Sequence, residues 1–214
     1  MTGGRPERVR RMQTVLEQRI AWVRCALEAV YHRHNVSAIL RTCDAMGLHH
    51  VDLVEGHFKA AKGTARGADR WLDLQHHRDP VSAIEHIQGQ GYDIWIADFA
   101  PHGLSPEDVP LERPICLWMG AELAGVGPQA KQAATGVITL PMRGFAQSLN
   151  VSVASALCIR TLAERARMIH GEAAKIDEDE RKRTWARWRA QEEAMGRGVD
   201  ARMTLSMPDP TDDA

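Results

Sequence analysis

The sequence predicts an α/β fold with a mainly parallel sheet flanked by helices. Two observations carry this. Short apolar runs alternate with longer segments whose apolar residues recur every three to four positions. Several of the longer segments open at a capping residue or a proline and stop at a glycine, the punctuation of helices that lead back to a next strand.

Residues 5–21 read as a basic helix with Met12, Val15, Leu16 and Ile20 along one face. Residues 22–29 are a strand. Asn35 is the expected N-cap of the next helix, because Val36, Ile39, Leu40 and Cys43 follow at i, i+3, i+4 and i+7 spacing. Gly47 takes the position just past its end. Residues 50–54 form a second strand, and residues 80–91 a helix closed by glycine. Strands follow at 92–99 and 114–119, then a short helix at 128–134 started by Pro128. Residues 137–140 are a further strand and 149–169 a long helix. The charged segment 175–195 is helical by composition, with Trp185 and Trp188 to bury. The organisation is thus a basic N-terminal helical extension over 1–21, a main domain over 22–171, and a C-terminal helical extension over 172–195. Residues 196–214, rich in Gly, Met, Pro and Asp, are expected to be a disordered tail.

Composition narrows the class. The chain is 44% apolar and 26% charged, as soluble domains are. No apolar run approaches the roughly 20 residues that span a bilayer. The first residues are basic and then polar, without the apolar core of a secretory signal, so a cytoplasmic location is expected. Cys25, Cys43, Cys116 and Cys158 are scattered, and three lie in apolar runs, which reads as buried free thiols. The tandem pairs His49-His50 and His76-His77 point in different directions on any regular element and chelate poorly, so no metal is expected. Net charge is −1, yet Arg5, Arg8, Arg10, Arg11, Arg19 and Arg24 crowd the first segment against only Glu7 and Glu17. A local basic face on a neutral protein suits phosphate, although a solvated helix surface accounts for it equally.

Three segments carry chemistry. In 35–47 an asparagine opens a helix and Arg41 follows two turns later; a cap and a surface arginine explain both. In 115–127 an apolar strand runs into a glycine-punctuated loop with one carboxylate, Glu122, and strand C-termini are where open α/β sheets bind ligands. Its end, residues 125–130, fits a loose G-x-G-x-x-A dinucleotide pattern. The match fails, because Ala121–Ala124 separate it from the strand and no acid lies between Glu122 and Glu164 to hold a ribose. In 140–154, Pro141 and Gly144 force an unusual path after a strand, and Ser148 and Asn150 precede a helix of small residues. Helix capping explains the last two; a loop rich in open backbone groups also suits an adenine and a ribose.

Together the segments N-x-SAI-x-RT-x-DA (35–45), MGAE-x-x-GV (119–126) and PM-x-G-x-x-QSLNVSVA (141–154) resemble the SpoU/TrmH family of SPOUT RNA 2′-O-methyltransferases. The resemblance spans roughly residues 8–171 and is strongest to the tRNA guanosine-18 group. It implies a deep trefoil knot over about 115–165, an exception to the rule against knots. It also implies S-adenosyl-L-methionine as cofactor, a homodimer with its site at or near the interface, tRNA as partner, and no metal or membrane. By match of position, Arg41, Asn35, Glu122, Ser148 and Asn150 correspond to the family's catalytic and supporting polar residues. Ala97, Gly120, Leu140, Met142 and Leu149 fall where the family contacts cofactor. Arg8, Arg11, Arg19, Arg165 and Arg167 match arginines linked to tRNA. Two departures stand out: Arg33 where the family has proline, and Leu123 with Ala124 where it often has lysine and a bulky residue.

The resemblance implies methylation of a tRNA ribose, most directly guanosine 18 in the D-loop. It also implies Arg41 as the base or part of it. An arginine pKa above about 12 makes a neutral guanidinium costly. The alternatives are that Arg41 grips an RNA phosphate that accepts the proton, or that it stabilises the forming alkoxide, and Arg41 is read in the second way. Rival readings are a ribosomal RNA 2′-O-methyltransferase of the same family and a catalytically silent RNA-binding protein on the same fold. The lack of room for a separate N-terminal RNA-binding domain and the two helical extensions favour tRNA. The failed glycine fingerprint disfavours a nicotinamide-dependent oxidoreductase.

Overall fold

A computed structural model describes residues 5–55 and 67–196 of the chain. Beyond Gly196, the expected disordered tail lies outside the described residues. The chain divides into two units, residues 20–175 and a second made from the segments that precede and follow them in sequence.

The larger unit is built on a six-stranded sheet in which every pairing is parallel. Its elements are β1 (Val23–Glu28), α2 (Arg33–Ala45), β2 (His50–Val54), β3 (Asp73–His77), α3 (Pro80–Gly89), β4 (Asp93–Ala97), β5 (Ile115–Met119), α4 (Pro128–Ala133), β6 (Gly136–Ile138) and α5 (Val151–His170); α1 belongs to the other unit. Strand order is β3-β2-β1-β5-β4-β6. The chain winds outward from β1 to one edge and returns to build the other half, so β1 and β5 flank the switch point.

Alternation along the strands sorts the core into two layers. Cys25, Leu27, Leu117 and Met119 face α2 and α5, meeting Ile39, Leu40, Ile159 and Leu162. Ala26, Cys116 and Trp118 face the other way, where Ala83 and Ile87 of α3 and Ala130 of α4 cover them. Strands buried on both faces are rich in apolar residues, which is why β1, β2, β4 and β5 are visible in the sequence even though Arg24 interrupts β1 and Asp52 interrupts β2. β3 is not: its sequence, DLQHH, is polar, and it runs half-buried along the sheet edge. All four cysteines are free and buried, as expected. One ion pair is also buried on the α3 side: Arg24 Nε lies 2.7 Å from Asp52 Oδ2, and its guanidinium sits 5.0 Å from the Tyr92 ring centre.

One cap differs from expectation. α2 begins at Arg33 with His32 as its N-cap, so Asn35 lies inside the first turn rather than at the boundary. Its side chain is buried and bonded elsewhere. Arg33 therefore takes the first helical position, where a proline is equally at home because that N–H has no helical partner. The far end of α2 is as expected: Gly47 adopts φ +75°, and Leu48 N–H reaches Cys43 O at 2.9 Å while Gly47 N–H reaches Asp44 O at 3.1 Å.

The second unit pairs α1 (Arg5–Glu17) with α6 (Glu178–Ala194). Met12 and Leu16 of α1 and Trp185 and Trp188 of α6 are buried. Asp177 caps α6 by accepting from Glu180 N–H at 2.8 Å, and three acids in the first turn complement the helix dipole. α1 stops at Glu17, four residues short of the expected end. Ile20 lies beyond the helix, in the larger unit, and forms parallel and antiparallel bridges to Leu48 and Lys175 there.

Candidate cofactor and catalytic site

The site forms where β4, β5 and β6 end side by side. A cavity of about 550 Å³ opens there, lined at the strand ends by Ala97, Gly120 and Leu140 and along the following loop by Met142 and Leu149. All five are the residues assigned to cofactor from sequence. Glu122, Ser148 and Asn150, assigned to catalysis, line the same cavity.

Local rules explain the opening. After β5 the chain folds back on itself: Ala121 and Gly125 exchange N–H···O bonds of 3.0 and 2.9 Å, and Gly125 takes φ +68°. A Cβ on Gly120 would lie 2.3 Å from the Gly125 carbonyl, so only glycine permits this close return. After β6, Thr139 pins the loop start: its hydroxyl donates to Asp98 O at 2.8 Å and accepts from Ala100 N–H at 3.2 Å. Most of the loop beyond Leu140 is exposed until α5 begins.

Three distant motifs meet in one chain of hydrogen bonds. Asn35 Nδ2 donates to Glu122 Oε1 at 2.7 Å, and Asn150 Nδ2 donates to Asn35 Oδ1 at 3.2 Å. Asn150 Oδ1 in turn accepts from Ser152 N–H at 2.9 Å, capping α5. Asn35 is 3% exposed, so its amide is held by these partners and not by water. The network ties the start of α2, which follows β1, to the loop after β5 and to the start of α5. It crosses the β1/β5 switch point.

Arg41 is placed differently. It is exposed on α2 and lines a second cavity with Asp44, Trp71, Leu157 and Arg160, away from the cavity holding Glu122, Ser148 and Asn150. Asp98 and Lys131, paired at 3.0 Å, line the first cavity and were missed. The signal for Asp98 was available, since it directly follows the last residue of a parallel strand. Lys131 lies on α4, outside all three motifs, and gave none. Cys158 also borders the cavity, its thiol pushed up to about 12 by burial.

The five arginines assigned to RNA fall into distinct settings. Arg11 is exposed on α1. Arg8 forms a bidentate pair with Glu192, one arm at 2.8 Å, and remains partly exposed. Arg165 donates to Pro106 O at 2.9 Å and Val109 O at 2.8 Å. Arg167 donates to Met46 O at 2.7 Å and is partly exposed. For Arg19 the surface expectation is corrected: the side chain is 0% exposed, and its guanidinium stacks 5.5 Å from the Trp188 ring centre. A buried guanidinium over an indole acts as a packing element. Among the described residues of the larger unit, Asp52, His77 and His86 come within 4.8 Å of one another as a candidate ligand set. Asp52 is already engaged there by Arg24 and, at 2.7 Å, by His77 Nε2.

Comparison with known proteins agrees with this architecture. The model of the SpoU rRNA Methylase family matches residues 23–160. The chain is 36% identical over 156 residues to the tRNA (guanosine(18)-2′-O)-methyltransferase of Escherichia coli, covering 72% of this chain and 68% of that protein. It is 33% identical over 185 residues to the enzyme of the same name from Thermus thermophilus, covering 85% and 95%. The crystal structure of the A. aeolicus TrmH/SpoU tRNA modifying enzyme superposes with a TM-score of 0.77 at 30% identity, over 88% of this chain and 98% of that one. The three motifs that the fold brings to one edge of the sheet lie within the matched span, and the chain belongs to the SpoU methylase family.

Proposed function

We propose that this chain transfers a methyl group from S-adenosyl-L-methionine to the ribose 2′-hydroxyl of guanosine 18 in the D-loop of tRNA. The observation that carries the reading is the Glu122–Asn35–Asn150 network, which joins all three family motifs at the edge of one cavity. The match over 85% and 88% of the chain to relatives named for tRNA favours that substrate over ribosomal RNA, which the family's own description names.

The cavity suits the cofactor. Its volume lies within the range of roughly 300–1,000 Å³ typical of small-molecule sites. Its wall is mostly backbone and small or apolar residues, with Asp98 and Glu122 against one lysine, a balance that favours a cationic ligand. Ala97, Gly120, Leu140, Met142 and Leu149 would hold it. When bound, it supplies an electrophilic methyl on a sulfonium.

The protein's own part is position and charge. Orientation of the two reactants can contribute about 7–11 kcal/mol. Asn35 and Asn150 fix the wall on which Ser148 and Glu122 stand. Arg41 is the group that stabilises the forming alkoxide and grips the adjoining RNA phosphate, which accepts the proton of the 2′-hydroxyl as the C–O bond forms. It stands outside the cavity within one chain, which fits a site completed by RNA and by a second copy. A homodimer is part of this reading, supported by exposed Val153 and Leu157 one turn apart on α5, the latter on the second cavity with Arg41. So is a knot over about 115–165, which the resemblance of the three motifs to the SpoU/TrmH family implies. We read Arg8, Arg11, Arg165 and Arg167 as phosphate contacts, and tRNA recognition as one of shape and backbone. Among the described residues no helix is long and apolar enough to cross a membrane; the cytoplasm, where tRNA is processed, is the proposed location.

The test is incubation with methyl-labelled S-adenosyl-L-methionine and unmodified tRNA, followed by mapping of the label. Label on the 2′-oxygen of guanosine 18 is the expected result. Label only on ribosomal RNA offered in parallel would replace the substrate assignment.

A further inference from the structure

The sequence motifs leave out a residue that grips the same loop from behind. Glu28 is the last residue of β1 and is 5% exposed. Its side chain points to the face of the sheet that carries Ala26 and Trp118, opposite α5. A single carboxylate oxygen, Oε2, accepts two hydrogen bonds there: from Trp118 Nε1 at 2.7 Å and from Gly127 N–H at 3.0 Å. The other oxygen closes on Gly127, where a Cβ would lie 2.3 Å away. Trp118 is the penultimate residue of β5, one before the strand gives way to the loop, and Gly127 ends the loop as N-cap of α4. One buried carboxylate therefore fixes both stems of the 120–126 turn.

The turn is also held from the side of Asn35, through Glu122 at 2.7 Å. Glu28 and Asn35 lie on either side of a single reversal, at which Ala29 takes φ +51° and donates to Val54 O at 2.9 Å. A left-handed backbone is unfavourable for alanine, so the reversal is held by its surroundings. It sends Glu28 to the stems of the turn and Asn35 to its carboxylate. Between them lie Gly120, at the cavity, and Glu122.

We propose that Glu28 is a positioning residue for methyl transfer. It does not line the cavity. It holds the 120–126 turn in the one register that keeps Gly120 open to the cofactor and lets Glu122 meet Asn35. The role rests on the methyltransferase reading above. Removal of the carboxylate leaves the buried Trp118 donor and the part-buried Gly127 N–H unmatched, and the turn is then free to shift.

The experiment compares Glu28→Ala and Glu28→Gln in the full chain. Gln keeps an acceptor oxygen at the same reach. S-adenosylhomocysteine affinity is measured by calorimetry, kcat and KM for tRNA at saturating cofactor, and the thermal midpoint on the same samples. Ile87→Ala, a fully buried site on α3, serves as a control for general destabilisation. Glu28→Ala is expected to weaken cofactor binding and lower kcat by about tenfold or more, with KM for tRNA within about threefold. Glu28→Gln is expected to restore both to within about threefold, and Ile87→Ala to lower the midpoint while leaving cofactor affinity in place. The proposal is overturned if Glu28→Ala binds cofactor and turns over within about twofold of the parent. It is also overturned if Ile87→Ala, at equal loss of midpoint, loses as much affinity. Should Glu28→Ala fail to fold, Glu28→Asp withdraws the oxygen by one methylene and is read against the same limits. If the parent protein binds cofactor but methylates no tRNA, the functional reading fails and the affinity comparison still decides the role of Glu28.

Discussion

Asn35→Asp is the sharpest probe of the network, because it changes one atom's chemistry and almost no volume. In the native chain the Asn35 amide donates to Glu122 Oε1 at 2.7 Å and is 3% exposed. The substitution replaces that donor with an oxygen. Two carboxylates cannot both ionise at this distance without cost, which is about 4 kcal/mol at 4 Å with an effective dielectric near 20. Glu122 is partly exposed, so about half of that, ~2 kcal/mol, is the working figure. The variant pair relieves it by keeping one proton, and the O–H···O contact then mimics the native bond. The introduced carboxyl thus has a folded-state pKa above its unfolded value. Its favourable contact is fully present below the unfolded value and is lost as the pH rises through the folded one. At ~2–4 °C per kcal/mol for a chain of this size, the thermal midpoint should fall about 4–8 °C below the parent at pH 8. The deficit should fall to about half by pH 4.5, which is still just above the unfolded carboxyl value. Turnover at pH 8 should fall by at least about tenfold, as Glu122 is pushed from its place. The assay is parallel thermal unfolding of parent and variant from pH 4.5 to 8.5. A deficit that does not change across that range would mean that Asn35 and Glu122 are not in contact, and the network would have to be abandoned.

The other predictions address charge, burial and the arginines. Asp73 is held well below the usual carboxylate range, first by its hydrogen bond with His50 at 3.4 Å and then by Gln75. Its contribution to stability is present above the unfolded carboxyl value and lost as the pH falls through the folded one. Asp73→Asn should therefore lower the midpoint at pH 7, with a deficit that shrinks steadily as the pH is taken from about 4 towards 2; a constant deficit would contradict the shift. A hydrogen bond with Cys43 and burial raise the Cys25 thiol, and burial raises those of Cys116 and Cys158. The native protein should resist a thiol reagent at pH 8 and react only on unfolding; fast native labelling of any of the three would contradict their burial. Arg11→Ala should reduce the salt dependence of tRNA binding by about one in log–log slope. Arg19→Ala should instead lower the thermal midpoint by several degrees and leave that slope as it was, because its guanidinium packs on Trp188; a changed slope would return Arg19 to the RNA surface.

Asn150 shows how a sequence can be legible and still ambiguous. Its position before a run of small residues supports both a helix cap and a site residue. Different atoms meet the two demands: Oδ1 caps α5, and Nδ2 donates to Asn35 at the cavity edge. Asn35 looks like a cap and is not one, for the opposite reason. The apolar periodicity of α2 is plain, but the bond to Glu122, 87 residues away, leaves no local trace. Local pattern likewise does not place Arg19, since a basic segment looks solvated until Trp188 arrives from the other end of the chain. β3 escapes because a half-buried edge strand does not need an apolar run. What the pattern does carry is the apolar strands, and among these are β4 and β5, whose ends help make the cavity.

That last point bears on why the site lies where it does. In a parallel sheet all C-terminal strand ends face one way, so every segment that follows a strand is delivered to the same edge. Residues 35, 122 and 150 come from the segments after β1, β5 and β6, and they need only side-chain reach to meet. The cost of such a design is that each loop must be held in register by something other than the ladder. For the turn after β5 that hold is visible: the Gly120–Gly125 approach closes it, Asn35 takes it at Glu122, and Glu28 takes both its stems. The loop after β6 is pinned by Thr139 at its start and by Asn150 at its end, with an exposed stretch between. The two walls of the cavity therefore differ in rigidity. Cofactor binding should order the 140–150 wall and leave the 120–126 wall as it is. Amide hydrogen exchange with and without S-adenosylhomocysteine reads this directly: protection should rise in 140–150 and change little in 120–126. The reverse pattern would mean that the glycine-closed turn, and with it the grip of Glu28, is the mobile part of the site.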